Sequence, residues 1–195
     1  MSESLNQNFN HLKVHTQYSI CEGAAKIDDL QEYCKSNKIK SLGICDTSNL
    51  CGSLEFAEKI SKSGTQPIIG TQINFKLNDT TGLLPLFALN EKGYQNIIEL
   101  SSNSYLENDE LSDPHVNFDE LLKNSDGVSV FSGTILGLFG KLFDKGKFTE
   151  ISEIYSKIKD VFGDRFYLEI QRHNDTNENG FEKFNLKKSI ELEIP

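Results

Sequence analysis

The chain has 195 residues, which at roughly 150 residues per domain leaves room for one domain and little more. Hydrophobic residues make up 37% and include 13 Phe, enough to fill a sizeable core, so a mainly disordered chain is excluded. Twenty Lys and Arg stand against 29 Asp and Glu, a formal net charge of −9 that argues against gripping a nucleic-acid backbone by charge alone.

Residues 11–15 alternate in the manner of a strand, and Ile27, Leu30, Tyr33 and Cys34 fall at helical spacing within 27–37. A short apolar strand over 41–45 runs into the polar turn 46–49. Leu54, Phe56, Ala57 and Ile60 then predict a helix over 52–63. Further strands are expected at 66–75 and 83–89, followed by a helix over 91–105 and an acidic loop, 107–117, that contains Pro114. Beyond it the pattern predicts a short helix at 118–123, a strand at 127–132, helices at 135–143 and 148–162, and a strand at 165–171. A polar turn, 174–180, leads into a last helix that ends at 193–195. Strands alternating with helices at this pitch imply parallel βαβ units, and so an α/β sheet or barrel with no dividing linker and no internal repeat.

No apolar run nears the ~20 residues of a membrane span, and the start has neither the basic nor the apolar stretch of a secretory signal, so a cytoplasmic location is expected. Cys21, Cys34, Cys45 and Cys51 lack Cys-x-x-Cys spacing and read as thiols rather than zinc ligands or disulfide partners. Cys45 and Cys51 flank the Asp46 turn without a nearby base, so neither is expected to be a nucleophile.

In parallel α/β folds, working residues gather at the carboxyl ends of strands. Those ends offer His11, Lys13 and His15, then Asp46-Thr47, Gly70-Thr-Gln72, Ser132-Gly-Thr134 and Gln171-Arg-His173. An imidazole pair on a strand would suit a metal, but Lys13 places an ammonium where a cation would sit. Converging carboxylates and imidazoles would suit a multinuclear hydrolase, and the chain supplies too few of them.

Val14-His-Thr-Gln-Tyr-Ser19, with Gly23-Ala-Ala-Lys26 behind it, resembles the opening of the PHP (polymerase and histidinol phosphatase) domain of the bacterial DNA polymerase III alpha subunit. The similarity continues in order through Gly43-Ile-Cys-Asp-Thr-Ser-Asn-Leu-Cys-Gly52, Pro67-Ile-Ile-Gly70, Leu89-Asn-Glu-Lys-Gly-Tyr94, Leu100-Ser-Ser102, Ser132-Gly133 and Phe166-Tyr-Leu-Glu-Ile-Gln-Arg-His173. It implies a distorted (β/α)₇ barrel, a single PHP domain over 1–195 that lacks its last strand or strands, at the start of a longer replicative polymerase. That family's polymerase aspartates lie far downstream.

Metal-binding members of the family carry His-x-His where Lys13-Val-His15 stands and Asp-His where Asp46-Thr47 stands. They have Glu at Gln72 and usually Cys or His at Thr134. Only His15, Asp46 and His173 match ligand positions. Losing ligands at four positions and gaining a cation at one makes a metal cluster unexpected, because each ligand supplies charge or a lone pair that water must otherwise replace. His15 and Asp46 read more simply as a hydrogen-bonded pair at a strand end, and His173 as a turn-end hydrogen-bonder. Lys13 is expected to offset the Asp46 carboxylate in place of the lost metal. His11 and His115 carry no family role, and the Phe-rich stretch 131–148 reads as core.

The resemblance thus implies a metal-free, catalytically silent platform for DNA replication, with the rest of the polymerase chain and the proofreading exonuclease subunit as partners. Nucleotidyl transfer belongs to the parent polymerase, and DNA is met only through it. The alternative is a metal-dependent phosphoesterase or 3′–5′ exonuclease with Zn or Mn. An unrelated α/β small-molecule binder is the third possibility, unsupported by any Gly-x-Gly-x-x-Gly or phosphate loop.

Overall fold

A computed structural model describes residues 9–108, 112–173 and 178–195. They fall into two compact units that divide between Gln72 and Ile73, inside a strand rather than at a linker.

In the first unit, the predicted helix is α1 (Ile27–Asn37). Two aspartates, Asp28 and Asp29, occupy its first turn and suit the positive end of the helix dipole. It ends where Lys38 turns into the left-handed region and returns its N–H to the Cys34 carbonyl. Strand β1 (Ser41–Thr47) and the first half of β2 (Gln66–Leu77) pair in parallel, Ser41 opposite Gln66 through Thr47 opposite Gln72, with α2 (Ser53–Lys62) as the crossover. Ile27, Cys34, Leu42, Ile44, Phe56 and Ile60 form the core, with Val14, Tyr18 and Ile69 packed on it. Residues 11–15 do not form the expected strand. They run extended beside β1, tied by Gly43 N–H to the His11 carbonyl (2.7 Å) and Cys45 N–H to the Val14 carbonyl (2.8 Å). That approach requires glycine at 43, because a Cβ there would lie 2.3 Å from the Leu12 carbonyl oxygen.

The second unit holds β3 (Thr80–Ala88), α3 (Glu91–Leu106), β4 (Val116–Asn117), α4 (Phe118–Lys123), β5 (Val128–Phe131), α5 (Leu138–Asp144), α6 (Phe148–Phe162), β6 (Phe166–Tyr167) and α7 (Glu178–Leu192). Asn90 caps α3 by accepting the Gly93 N–H at 2.9 Å. The parallel βαβ pattern expected from sequence is interrupted here by an antiparallel pairing. β3 follows β2 after a short turn with Asn78 at φ +50°, and it pairs antiparallel with β5, while β5 and β6 are parallel. The two residues between β2 and β3 leave no room for the crossover that a parallel return from β2 to β3 would demand.

Other differences are local. The strand expected over 165–171 is reduced to Phe166–Tyr167, preceded by a 3₁₀ turn at Gly163–Arg165. The helix expected from 135 starts at Leu138. Val116–Asn117 pairs with Phe75 and Lys76 instead of remaining loop. Of the polar turn expected at 174–180, residues 174–177 lie outside the described residues and Glu178–Gly180 are already helix; likewise 109–111 of the acidic loop are outside. α6 packs against α5, α7 and β5, burying Ile151, Ile158 and Tyr155, whose hydroxyl donates to Asn185 Oδ1 at 3.0 Å. Phe139 is buried as expected of the Phe-rich stretch, but Phe148 stays 47% exposed. Among the described residues no disulfide forms, and no helix is long and apolar enough to cross a membrane.

Candidate functional site

The centre of interest in the first unit lies where β1 ends. Asp46 is 1% exposed, and its carboxylate is held by three neutral-donor hydrogen bonds. Thr16 N–H donates to Oδ1 at 2.6 Å, the Thr16 hydroxyl to Oδ2 at 2.7 Å, and the Ser19 hydroxyl to Oδ1 at 2.7 Å. A buried carboxylate is costly unless its lone pairs are filled, and here main chain and hydroxyls fill them.

Thr16 and Ser19 reach Asp46 because the segment 16–25 closes on itself. Thr16 and Ala25 form a parallel bridge, and Ser19 N–H returns to the Thr16 carbonyl at 2.9 Å. Gly23 permits the closure, since a Cβ there would sit 2.0 Å from the Thr16 carbonyl oxygen. The far side of the loop is fastened by Tyr18, whose ring packs on Gly52 and whose hydroxyl donates to Glu55 at 2.7 Å. Lys59 joins Glu55 (2.8 Å) to Asp28 (2.5 Å), linking α2 to α1. Hydrogen bonds from Lys59 and Tyr18 hold the Glu55 carboxyl below its ordinary range.

The parallel register sets Thr47 beside Gln72, and Gln72 Nε2 donates to Thr47 Oγ1 at 2.7 Å. Thr47 in turn donates from its hydroxyl to Glu22 and from its N–H to Ser19 Oγ (3.0 Å). Asp46, Thr47 and Gln72 therefore belong to one network, completed by Thr16, Ser19 and Glu22. The expected His15–Asp46 hydrogen bond is absent from it: Asp46 takes its bonds from Thr16 and Ser19, and His15 Nδ1 is buried without a hydrogen-bond partner. The neighbour in sequence displaces the histidine because Thr16 brings two donors on one residue. Lys13 is half-buried on the same extended segment.

Two further residues singled out in the sequence, Thr134 and His173, lie in the second unit. Thr134 Oγ1 accepts the Leu136 N–H at 3.2 Å, and Ser132 Oγ accepts the Glu169 N–H at 2.9 Å, so these hydroxyls brace loop backbone. His173 contacts Glu178. Its N–H donates to Glu178 Oε2 at 2.7 Å, its Nδ1 lies 3.2 Å from Oε1, and its side chain is 71% exposed. His11 stacks edge-on against Phe9, and His115 bonds the Asp113 carbonyl at 2.8 Å.

Among the described residues no group of three or more His, Cys, Asp or Glu is placed to hold a metal ion. Thr47 and Gln72 are neutral groups already bonded to each other, and the Asp46 carboxylate has both oxygens engaged by donors. Thr16, Ser19 and Glu22 were not singled out from sequence. The Thr16-x-x-Ser19 spacing one strand away from a buried Asp was the available signal, readable only once the loop is known to fold back.

The PHP domain family profile matches residues 11–173, spanning both units. Among curated proteins, the DNA polymerase III subunit alpha of Caulobacter vibrioides is 38% identical over 186 residues, covering 89% of this chain and 16% of that protein. The same subunit of Rickettsia felis is 35% identical, covering 96% of this chain and 16% of that protein, and that of Borreliella burgdorferi is 35% identical, covering 98% and 18%. The chain thus spans about a sixth of the length of the curated relatives it matches.

Proposed function

The chain belongs to the PHP domain family, and on that premise we propose that it is the metal-free, catalytically silent PHP domain of a replicative DNA polymerase of the DNA polymerase III alpha type. It serves there as a structural platform, joined to the rest of the polymerase chain and carrying the proofreading exonuclease subunit. Its setting is the cytoplasm, and it meets DNA only through the full polymerase. The observation that carries the reading is the filled coordination of Asp46: Thr16 and Ser19 point three donors at the oxygens a divalent ion would need. A metal would have to break those bonds and then find Thr47 and Gln72, which contribute no charge, among its neighbours.

The test is metal analysis of the purified protein after dialysis, together with hydrolysis assays on a phosphomonoester and on single-stranded DNA ends. The expected result is no stoichiometric Zn or Mn and no chelator-sensitive hydrolysis. A metal-to-protein ratio of about one with chelator-sensitive turnover would establish the phosphoesterase alternative instead. Co-purification with the exonuclease subunit tests the platform role, and failure of the two to associate would remove it.

A further inference from the structure

Within the second unit, α6 and α7 leave an open groove lined by Phe148, Thr149, Ser152, Phe184, Lys187 and Lys188. Its floor is aromatic. The Phe148 and Phe184 rings stand 5.9 Å apart, and Phe143 backs both, at 5.1 and 5.6 Å. Its rim is cationic: Lys188 Nζ lies 5.8 Å over the Phe184 ring, and Lys187 and Lys188 share the single carboxylate of Glu191, at 3.6 and 2.6 Å. Two ammoniums on one carboxylate leave a surplus positive charge. Among the described residues no acidic side chain lines the groove, in a chain whose net charge is −9.

A partly exposed aromatic floor under a positive rim complements an apolar anchor flanked by carboxylates. It is a poor platform for single-stranded nucleic acid. Stacking needs free ring faces, whereas the Phe148 and Phe184 rings are tilted 41° to each other and Lys188 covers one of them.

We propose that this groove docks an acidic segment of a partner protein, with an aromatic or leucine anchor seated on Phe148 and Phe184 and a carboxylate paired with Lys187. The proposal rests on the platform reading above, since it names the chemistry of one partner such a platform would hold. The probe is the labelled hexapeptide Asp-Glu-Phe-Asp-Leu-Glu, followed by fluorescence anisotropy, and its photo-crosslinking analogue with benzoylphenylalanine at the Phe.

Saturable binding is expected, with crosslinks confined to 148–152 and 184–188. Lys187→Glu should weaken binding by about tenfold or more, and Lys187→Arg should keep it. Lys187 has a 73% exposed side chain, so neither change threatens the fold. Four results would overturn the proposal: no saturation up to about 1 mM peptide, unchanged affinity in Lys187→Glu, crosslinks elsewhere, or tighter occupation of the groove by oligothymidylate or by a second copy. Metal and hydrolysis assays do not depend on this groove, so failure here leaves the platform reading standing, and failure there removes it independently.

Discussion

Thr16 gives Asp46 both of its donors, the main-chain N–H to Oδ1 at 2.6 Å and the hydroxyl to Oδ2 at 2.7 Å, with both residues buried. Asp46→Asn replaces an acceptor oxygen by an NH₂ that would face a donor, and Thr16→Val removes the donor to Oδ2. Each should destabilise the protein by about 1–3 kcal/mol, the usual cost of a buried polar group left unsatisfied. The double variant should cost clearly less than the sum, because the two changes break the same contact. Denaturant unfolding of the four proteins checks this, and full additivity would show that the contact is not what holds the loop.

A second expectation concerns metal affinity. Lys13→His, Thr47→His and Gln72→Glu together place two imidazoles and a carboxylate where the resemblance implies ligands, so the triple variant should bind Zn more tightly than the parent chain. Adding Ser19→Ala should strengthen binding again, because it frees Asp46 Oδ1 from one donor. Titration calorimetry with Zn measures the series. If the triple variant binds no better than the parent, the substituted side chains do not converge as the ligand positions imply.

Much of this arrangement was legible in the chain. The helices at 27–37, 118–123 and 148–162 follow from apolar spacing alone, and the strand ending at Asp46 from a short apolar run closed by polar residues. The two-residue turn into β3 was not legible, because Asn78-Asp79 between two apolar runs is equally compatible with a longer excursion until the strand ends are seen. Nor was the true partner of Asp46. A carboxylate's hydrogen bonds depend on which loop folds over it, and Thr16 and Ser19 reach Asp46 across a sequence separation that spacing rules do not bridge. The Phe-rich stretch shows the limit of periodicity in another way. The same spacing that buries Phe139 leaves Phe148 half open, because α7 covers α6 only in part.

The Glu55 cluster sets an acid limb on stability. Lys59 and Tyr18 lower the carboxyl's folded pKa, so its contribution is fully present above the ordinary carboxylate range and is lost as pH falls through the folded value. Lys59 is raised by Asp28 and Glu55, so its own contribution is present below the ordinary lysine range and is lost only in strong alkali. Glu55→Gln should therefore be less stable than the parent at neutral pH, and the difference should close in acid. The effect should be modest, since these side chains are partly solvated. Urea midpoints for both proteins from neutral pH into acid provide the check, and a gap that stays constant with pH would mean that Glu55 acts through packing and not through charge.

The last expectation follows from Gly43, which lets the 11–15 segment lie against β1. A methyl group at 43 would lie 2.3 Å from the Leu12 carbonyl oxygen and 2.7 Å from Leu12 Cα, both main-chain atoms that no rotamer change can move. Gly43→Ala should thus force the segment outward and cost about 1–3 kcal/mol or more, the range for overpacking a tight interior. The displacement should also reach the site, because Thr16 follows directly on that segment and its two bonds to Asp46 tolerate little movement. Hydrogen exchange separates this from a general loss of stability. The Cys45 amide, bonded to the Val14 carbonyl at 2.8 Å, should lose protection in Gly43→Ala, while the α6 amides keep theirs relative to the new global stability. A variant with parental stability and an equally protected Cys45 amide would show that the segment can shift without loss, and that glycine at 43 is not what seats Thr16 over Asp46.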